Sequence, residues 1–203
     1  MSNRDYKESA KGTFVHVYNR GNNKEKIFLD EQDYRSFLLR LGLSLGFTQE
    51  ELANENLLHL PYSRIRITGS KGGYKLHSFC LMPNHFHLLI EQTGNEPIAK
   101  LVLRLCTSYA KYFNAKYQRV GHVFQDQYKS VLIESDPQLM WLSSYIHMNP
   151  VKDHLVKHPK EHPWSSYKDY IGERALIMTE TSFLKSIFGS NFEKETLGVK
   201  GHL

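Results

Sequence analysis

A β-hairpin near the middle of the chain is the sequence feature that most constrains the fold. Two apolar segments with strand character, 75–81 and 85–91, are separated only by Met82-Pro83-Asn84. A linker this short, containing proline and asparagine, is typical of the turn between two antiparallel strands. The chain therefore contains an antiparallel sheet, and the segments around the hairpin must pack against it.

The segments on both sides of the hairpin supply strands and helices in alternation. Residues 13–19 alternate like a strand, and 127–133 have the same character. Asp30 is a suitable N-cap for a helix with regularly spaced apolar residues that ends near Gly46. A second, longer amphipathic helix is predicted for 97–117. The hairpin thus lies between two strand and helix pairs.

The last clearly patterned helix begins at Ser135 or Asp136. It is expected to end at Asn149, because Pro150 restricts the backbone of the residue before it. Beyond Trp164 the pattern indicates only short helices and a polar tail. Residues 47–74 show no clear pattern apart from an acidic, possibly helical patch at 49–56.

This order of elements predicts an α+β fold. Strand, helix, hairpin, helix and strand in succession are typical of a ferredoxin-like antiparallel sheet with helices packed on one face, here with a C-terminal helical extension. A length of 203 residues fits one domain. We expect 1–203 to form a single domain with its core at about 13–171 and a C-terminal tail at 172–203.

Composition limits the environment and the partners. Lys and Arg outnumber Asp and Glu by 26 to 21, which favours a polyanionic partner, although a soluble basic enzyme fits the same charge. No apolar run approaches the roughly 20 residues of a membrane span, and residues 1–11 lack a secretory signal, so a cytoplasmic protein is expected. Cys80 and Cys106 lie in apolar segments and are expected to be reduced core residues.

The most specific local motif is His85-Phe86-His87 in the second strand of the hairpin. Side chains two positions apart on a strand point to the same face, so both imidazoles project together. Two imidazoles on rigid backbone make half of a metal site. In a chain with 11 histidines, however, the motif alone is equally compatible with a structural pair.

Several motifs in order resemble those of one family. The run from Leu81 to Ile90 is similar to the metal motif of the HUH single-tyrosine transposases, which include the IS200-like and REP-associated tyrosine transposases. Further motifs of that family, in the family's order, are resembled by residues 15–23, 121–125 with 128–130, 145–152 and 163–167. The resemblance spans about residues 13–171 and predicts a transposase that cuts and joins DNA.

The resemblance implies the roles of four residues. His85, His87 and Asn149 would bind a divalent metal, Mg²⁺ or Mn²⁺, and Tyr145 would be the catalytic nucleophile. The predicted helix is consistent with these roles, because positions 145 and 149 are four residues apart and lie on one face of it. Imidazole and amide ligands leave positions open for water and phosphate oxygens, which suits phosphoryl transfer.

The alternative interpretation of Tyr145 is a core aromatic residue. The apolar stripe of its helix is centred on Leu139, Leu142 and Ile146, so Tyr145 falls on its flank, as an accessible nucleophile should. Other tyrosines fit worse, because they lie within the apolar stripe of the preceding helix, as Tyr109 does. Tyr145 is therefore the predicted nucleophile.

The family resemblance also implies the partner, single-stranded DNA with hairpin-forming repeats. Arg20, Arg119, Lys129 and Lys152 are candidate DNA-binding residues, although a solvated surface charge is the more common role for each. The chain departs from the family pattern at Gln127, where a basic residue is common. Both dimers and monomers occur in the family, so a homodimer is compatible with the resemblance.

Three other functional interpretations share part of this pattern. A domesticated DNA-binding protein of the same fold would bind without cleaving, but all of the proposed ligands and the tyrosine are present here. A histidine-triad nucleotide hydrolase would need a third histidine at position 89, where this chain has Leu89. Relaxases and replication initiators share the metal motif. In this chain, however, the histidine motif precedes the tyrosine, which is the order that transposases have.

Overall fold

The computed structural model describes residues 10–53, 55 and 65–198 and contains a four-stranded antiparallel sheet. The strands lie in the order β2-β3-β1-β4, with the hairpin strands adjacent and β1 between β3 and β4. Their bounds are β1 Thr13–Arg20, β2 Tyr74–Met82, β3 His85–Gln92 and β4 Lys129–Ile133. The predicted hairpin, the four strands and the α+β fold are confirmed.

Helices follow the strands in the predicted order. They are α1 Glu31–Leu45, α2 Gln49–Ala53, α3 Ile98–Lys116, α4 Asp136–Lys152, α5 Tyr167–Tyr170, α6 Ser182–Phe188 and α7 Phe192–Gly198, with short 3-10 turns at Asn22–Lys24, Pro159–Glu161 and Gly189–Asn191. The patch predicted at 49–56 is helical as far as Ala53, and residues 54 and 56 lie outside the described residues. None of the described helices is long and apolar enough to cross a membrane.

Local sequence signals explain both ends of α1. The side chain of Asp30 accepts a hydrogen bond from the backbone N–H of Asp33, and the side chain of Asp33 accepts one from the backbone N–H of Asp30, forming a capping box. At the other end Gly46 has φ of 102°, a left-handed conformation that glycine adopts without strain. Any side chain there would also collide with the backbone of Lys71.

One face of the sheet carries α1 and α3, as predicted. Val17 of β1 and Phe86 of β3 are buried against Phe37 of α1 and Leu105 of α3 in the larger hydrophobic core. Tyr109 and Tyr112 of α3 are buried in the same layer, which confirms that packing accounts for them.

The opposite face is covered as well, by α4 and the C-terminal helices, which the prediction of helices on one face did not include. Cys80 of β2 and Leu89 of β3 are buried there against Leu142 of α4 and Phe188 of α6 in a second core. The C-terminal extension is thus packed onto α4 as far as α7. Cys80 is buried and Cys106 partly buried, and both are free thiols, as expected.

The predicted end of α4 at Asn149 is wrong, because the helix continues through Pro150 to Lys152. Proline removes one N–H, but within the last turn this costs a single helical hydrogen bond. The backbone N–H of Asp153 still donates to the carbonyl of Asn149 at 3.0 Å, which closes a turn beyond the proline. The extra turn carries Lys152 and brings Asp153 to the helix end.

Candidate functional site

A cleft of about 630 Å³ lies between the sheet and α4, on the sheet face opposite α1 and α3. His85 and His87 enter it from β3, and Tyr145 and Asn149 enter it from α4. The structure therefore brings together all four residues to which the sequence assigned catalysis and metal binding. Strand alternation aligns the two histidines, and helical spacing aligns tyrosine and asparagine.

The two imidazoles of the motif are held by hydrogen bonds to their Nδ1 atoms. Nδ1 of His85 donates to Oδ1 of Asn84 at 2.7 Å, and Nδ1 of His87 lies 2.9 Å from Nε2 of His16. Their ring centroids are 5.1 Å apart, with the planes perpendicular. Since both Nδ1 atoms are engaged, Nε2 is the atom that each ring can offer to a ligand.

Burial keeps this group of histidines neutral. Desolvation lowers the pKa of His85, lowers that of His87 well below its usual range, and lowers that of His16 to about 4. A neutral imidazole retains a lone pair, which a metal ion requires and a protonated ring lacks.

The donor set fits a divalent cation that keeps open coordination positions. Among the residues that the structure describes, no three His, Cys, Asp or Glu side chains are grouped as a metal site, so a third ligand has to be of another type. Nδ2 of Asn149 donates a hydrogen bond to the carbonyl of Tyr145 at 2.8 Å. The other amide atom, Oδ1, is therefore the one that can coordinate a metal ion. Two imidazole nitrogens and one amide oxygen can hold Mg²⁺ or Mn²⁺.

Tyr145 is half-buried between other aromatic and charged groups. Its ring stacks on Trp141 at 5.2 Å between centroids, meets the ring of His87 edge-on at 5.7 Å, and has Nζ of Lys152 4.8 Å from its centroid. Desolvation raises the pKa of its hydroxyl, a hydrogen bond with Asn149 lowers it, and the charge of Asp153 raises it. The net effect is a raised pKa, so the phenol holds its proton at neutral pH.

The four candidate DNA-binding cations lie in three different places. Arg20 and Lys129 line the cleft, as does Lys24, which sequence reasoning did not select. Lys152 lies over the ring of Tyr145. Arg119 is outside the cleft lining and pairs with Glu25 at 3.1 Å.

Acidic and amide side chains share the cleft with these cations. Asp126, Gln127 and Asp153 all contribute to its lining. Gln127 stands where the family pattern often has a basic residue, so this cleft has less positive charge than that pattern would give it.

Sequence reasoning missed His16 and Tyr18 on β1. Tyr18 lines the cleft, and His16 is buried beside it. The two rings stack on each other at 4.8 Å, and His87 stacks on His16 at 5.1 Å and on Tyr18 at 5.8 Å. The signal was present, because residues two apart on a strand share a face. Their meeting with His87 depends on strand register, in which Tyr18 lies opposite His87.

Comparisons with known proteins give two kinds of similarity. Residues 49–149 match the family described as IS200-like transposases. A Haemophilus influenzae protein assigned by name as a REP-associated tyrosine transposase is 31% identical over 101 residues, an alignment that covers 44% of this chain and 57% of that protein. The chain thus spans little more than half the length of that relative.

A solved structure resembles the fold across most of the chain. It is a REP-associated tyrosine transposase bound to a REP hairpin, with a TM-score of 0.54, and the match covers 90% of this chain and 96% of that one. Only 14% of the aligned residues are identical, so this match shows the shared fold and no more.

Proposed function

Residues 49–149 of this chain belong to the IS200-like transposase family, and on that premise we propose that the protein nicks and rejoins single-stranded DNA through a covalent bond to Tyr145. The observation that supports this most directly is the cleft itself. It joins Tyr145 and Asn149 on one helix to His85 and His87 on the facing strand.

The proposed reaction begins with the hydroxyl of Tyr145. Its oxygen attacks the phosphorus of the DNA strand, the bond from phosphorus to the 3′ oxygen breaks, and that oxygen takes up a proton. The products are a 5′-phosphotyrosyl link and a free 3′-hydroxyl, and attack by a second 3′-hydroxyl reverses the step and joins the strands. No nucleotide cofactor is needed, because the link retains the phosphodiester bond energy.

A phenol is a poor nucleophile because its high pKa keeps it protonated at neutral pH. Three neighbouring residues favour the reactive form of Tyr145. The hydrogen bond from Asn149 lowers the pKa of Tyr145 against the larger effect of burial. The ammonium of Lys152 over the ring stabilises negative charge on the phenolate as the proton leaves. Stacking on Trp141 fixes the ring plane while the hydroxyl faces the cleft.

A divalent cation, Mg²⁺ or Mn²⁺, completes the proposal. His85 and His87 would hold it through Nε2 and Asn149 through its amide oxygen. Bound there, it would supply positive charge against the phosphate oxygens during the transfer.

The proposed substrate is a single strand beside a DNA hairpin. The solved REP-associated transposase of the same fold has a REP hairpin bound, and Arg20, Lys24 and Lys129 give this cleft cations for phosphate contacts. Palindromic repeats in the DNA on either side of the gene would supply the strand to use.

The experiment is to map the covalent link. The protein is incubated with Mn²⁺ and a labelled strand carrying such a repeat, and the covalent protein–DNA species is isolated by its shift on a denaturing gel. The isolated species is then digested, and mass spectrometry identifies the residue that carries the phosphonucleotide. We expect the phosphonucleotide on Tyr145. The matched variant Tyr145→Phe keeps the ring and its stacking but offers no oxygen to phosphorus, so it should form no adduct.

Two results would oppose the proposal. A phosphonucleotide on Tyr128 or another tyrosine, or an adduct that survives in Tyr145→Phe, would mean that the nucleophile is wrong. Specific binding of the repeat with no adduct at any metal concentration would instead support the non-cleaving DNA-binding alternative.

A further inference from the structure

Trp141 is an exposed aromatic residue one helical turn before the proposed nucleophile. It stacks on Tyr145 with an angle of 13° between the rings, yet 39% of its surface is exposed. Burial on this helix is supplied by other residues, among them Leu139 and Leu142. Packing therefore explains one side of the indole and leaves the exposed part unexplained.

The second tryptophan of the chain shows the difference. Trp164 stacks on Tyr34 at 4.7 Å and 7°, and it is partly buried against the main core. Its position is accounted for by packing alone. Within the described part of the chain, the one aromatic ring that contacts Trp141 is that of Tyr145, a residue of the cleft.

Trp141 lies beside the residue to which the DNA strand would be joined. This step rests on the proposed function, in which the hydroxyl of Tyr145 attacks a phosphate. The base next to that phosphate would then lie near Tyr145, and therefore near the indole that stacks on Tyr145 at 5.2 Å. Trp141 thus covers part of the Tyr145 ring and keeps the rest of its own surface exposed next to the proposed nucleophile.

We propose that the exposed part of the Trp141 indole is the stacking site for a base of single-stranded DNA adjacent to the scissile phosphate. Every base has a flat π surface, so such a site tolerates sequence variation. It also favours single strands, because a paired base in a duplex is already stacked on its neighbours. Trp141 would thus hold the strand in line with Tyr145.

The two tryptophans make a direct test possible. In the variant Trp164→Phe, Trp141 is the only indole, and phenylalanine preserves the stacking on Tyr34. Its fluorescence is followed in EDTA during titration with an oligothymidylate of about 20 nucleotides and with an abasic strand of equal length and charge. We expect the thymidylate to quench Trp141 and the abasic strand to leave it unchanged.

Affinity measurements add a second readout that does not depend on cleavage. Trp141→Ala should weaken binding of the thymidylate about 5- to 150-fold and leave binding of the abasic strand unchanged. Trp141→Phe should retain most of the affinity. Phe183→Ala is the matched control, because Phe183 is similarly exposed, at 38%, but stacks on Phe14 away from the cleft.

The outcomes separate this inference from the proposed function. Thymidylate that fails to bind, or that binds without quenching Trp141, overturns the stacking site, as does an equal loss of affinity for both strands in Trp141→Ala. Quenching together with no adduct on Tyr145 would overturn the cleavage proposal and leave Trp141 as a base-stacking site of a DNA-binding protein that does not cleave.

Discussion

His16 and His87 meet across two neighbouring strands, with Nε2 of His16 2.9 Å from Nδ1 of His87 and the rings stacked at 5.1 Å. If Nε2 of His87 binds a cation, its Nδ1 carries the proton and donates it to the lone pair of His16. The lowered pKa of His16, about 4, keeps that lone pair available at neutral pH. His16 is therefore a positioning residue for His87.

Replacing His16 should weaken metal binding in the absence of DNA. His16→Leu removes the acceptor that orients His87, and losses of such partners commonly cost about 10- to 100-fold in metal affinity. Calorimetric titration with Mn²⁺ measures this without any activity assay. His16→Gln, which restores an acceptor oxygen, should recover part of the affinity.

Tyr18→Phe is the control for that measurement. Tyr18 stacks on both His16 and His87, and phenylalanine keeps those contacts. Unchanged Mn²⁺ affinity in His16→Leu, or an equal loss in Tyr18→Phe, would show that the hydrogen bond has no part in binding.

His85→Ala and His87→Ala should separate cleavage from binding. Each change removes a proposed metal ligand, whereas the cations at Arg20 and Lys129 remain to contact phosphate. Nicking should fall below detection at low Mn²⁺, and the affinity for the strand should change only a few-fold. The exposed His122 gives the control variant His122→Ala. Undiminished nicking by the double variant would exclude these histidines as ligands.

Much of the fold was predictable because its signals are local. The capping box at Asp30, the left-handed glycine at Gly46 and the short hairpin turn each depend on a few adjacent residues. The family resemblance, carried by ordered motifs, is confirmed by the match of 49–149. Within the site, residue periodicity predicted the shared face of His85 and His87.

Relationships between distant segments were not predictable in the same way. The contact of His16 with His87 joins residues 71 apart and requires the register of β1 against β3. Arg119 illustrates the same limit, since only the fold shows that it pairs with Glu25 outside the cleft lining. At Pro150 a local rule failed, because a single missing hydrogen bond near a helix end is readily tolerated.

Acid should destabilise the protein through His162. This ring is buried, Nε2–H donates to the carbonyl of Leu81 at 2.9 Å, and desolvation lowers its pKa below the usual 6.5. Between the lowered folded pKa and the unfolded value, the unfolded chain binds more protons, so stability falls as pH drops below about 6.5. His162→Gln keeps a donor and should show a smaller loss.

Thermal unfolding at about pH 7.5 and about pH 5.5 measures this difference. His122→Gln changes an exposed histidine and should leave the pH dependence of the melting temperature as it is in the unaltered protein. The same acid sensitivity in His162→Gln as in the unaltered protein would remove His162 from the explanation.

The cations of the chain should differ in how they affect the salt dependence of DNA binding. A cation that contacts phosphate releases counterions, and each such contact contributes about 0.7 to the slope of log affinity against log salt for a single strand. Arg20 and Lys129 line the cleft, so Arg20→Ala and Lys129→Ala should each reduce the slope by about that amount. Arg119 pairs with Glu25 outside the cleft lining, so Arg119→Ala should leave the slope nearly unchanged.

Fluorescence anisotropy in the non-cleaving Tyr145→Phe background, from about 50 to 200 mM salt, gives the three slopes. A reduction in Arg119→Ala equal to that in Lys129→Ala would mean that the DNA extends past the cleft and displaces the pairing with Glu25.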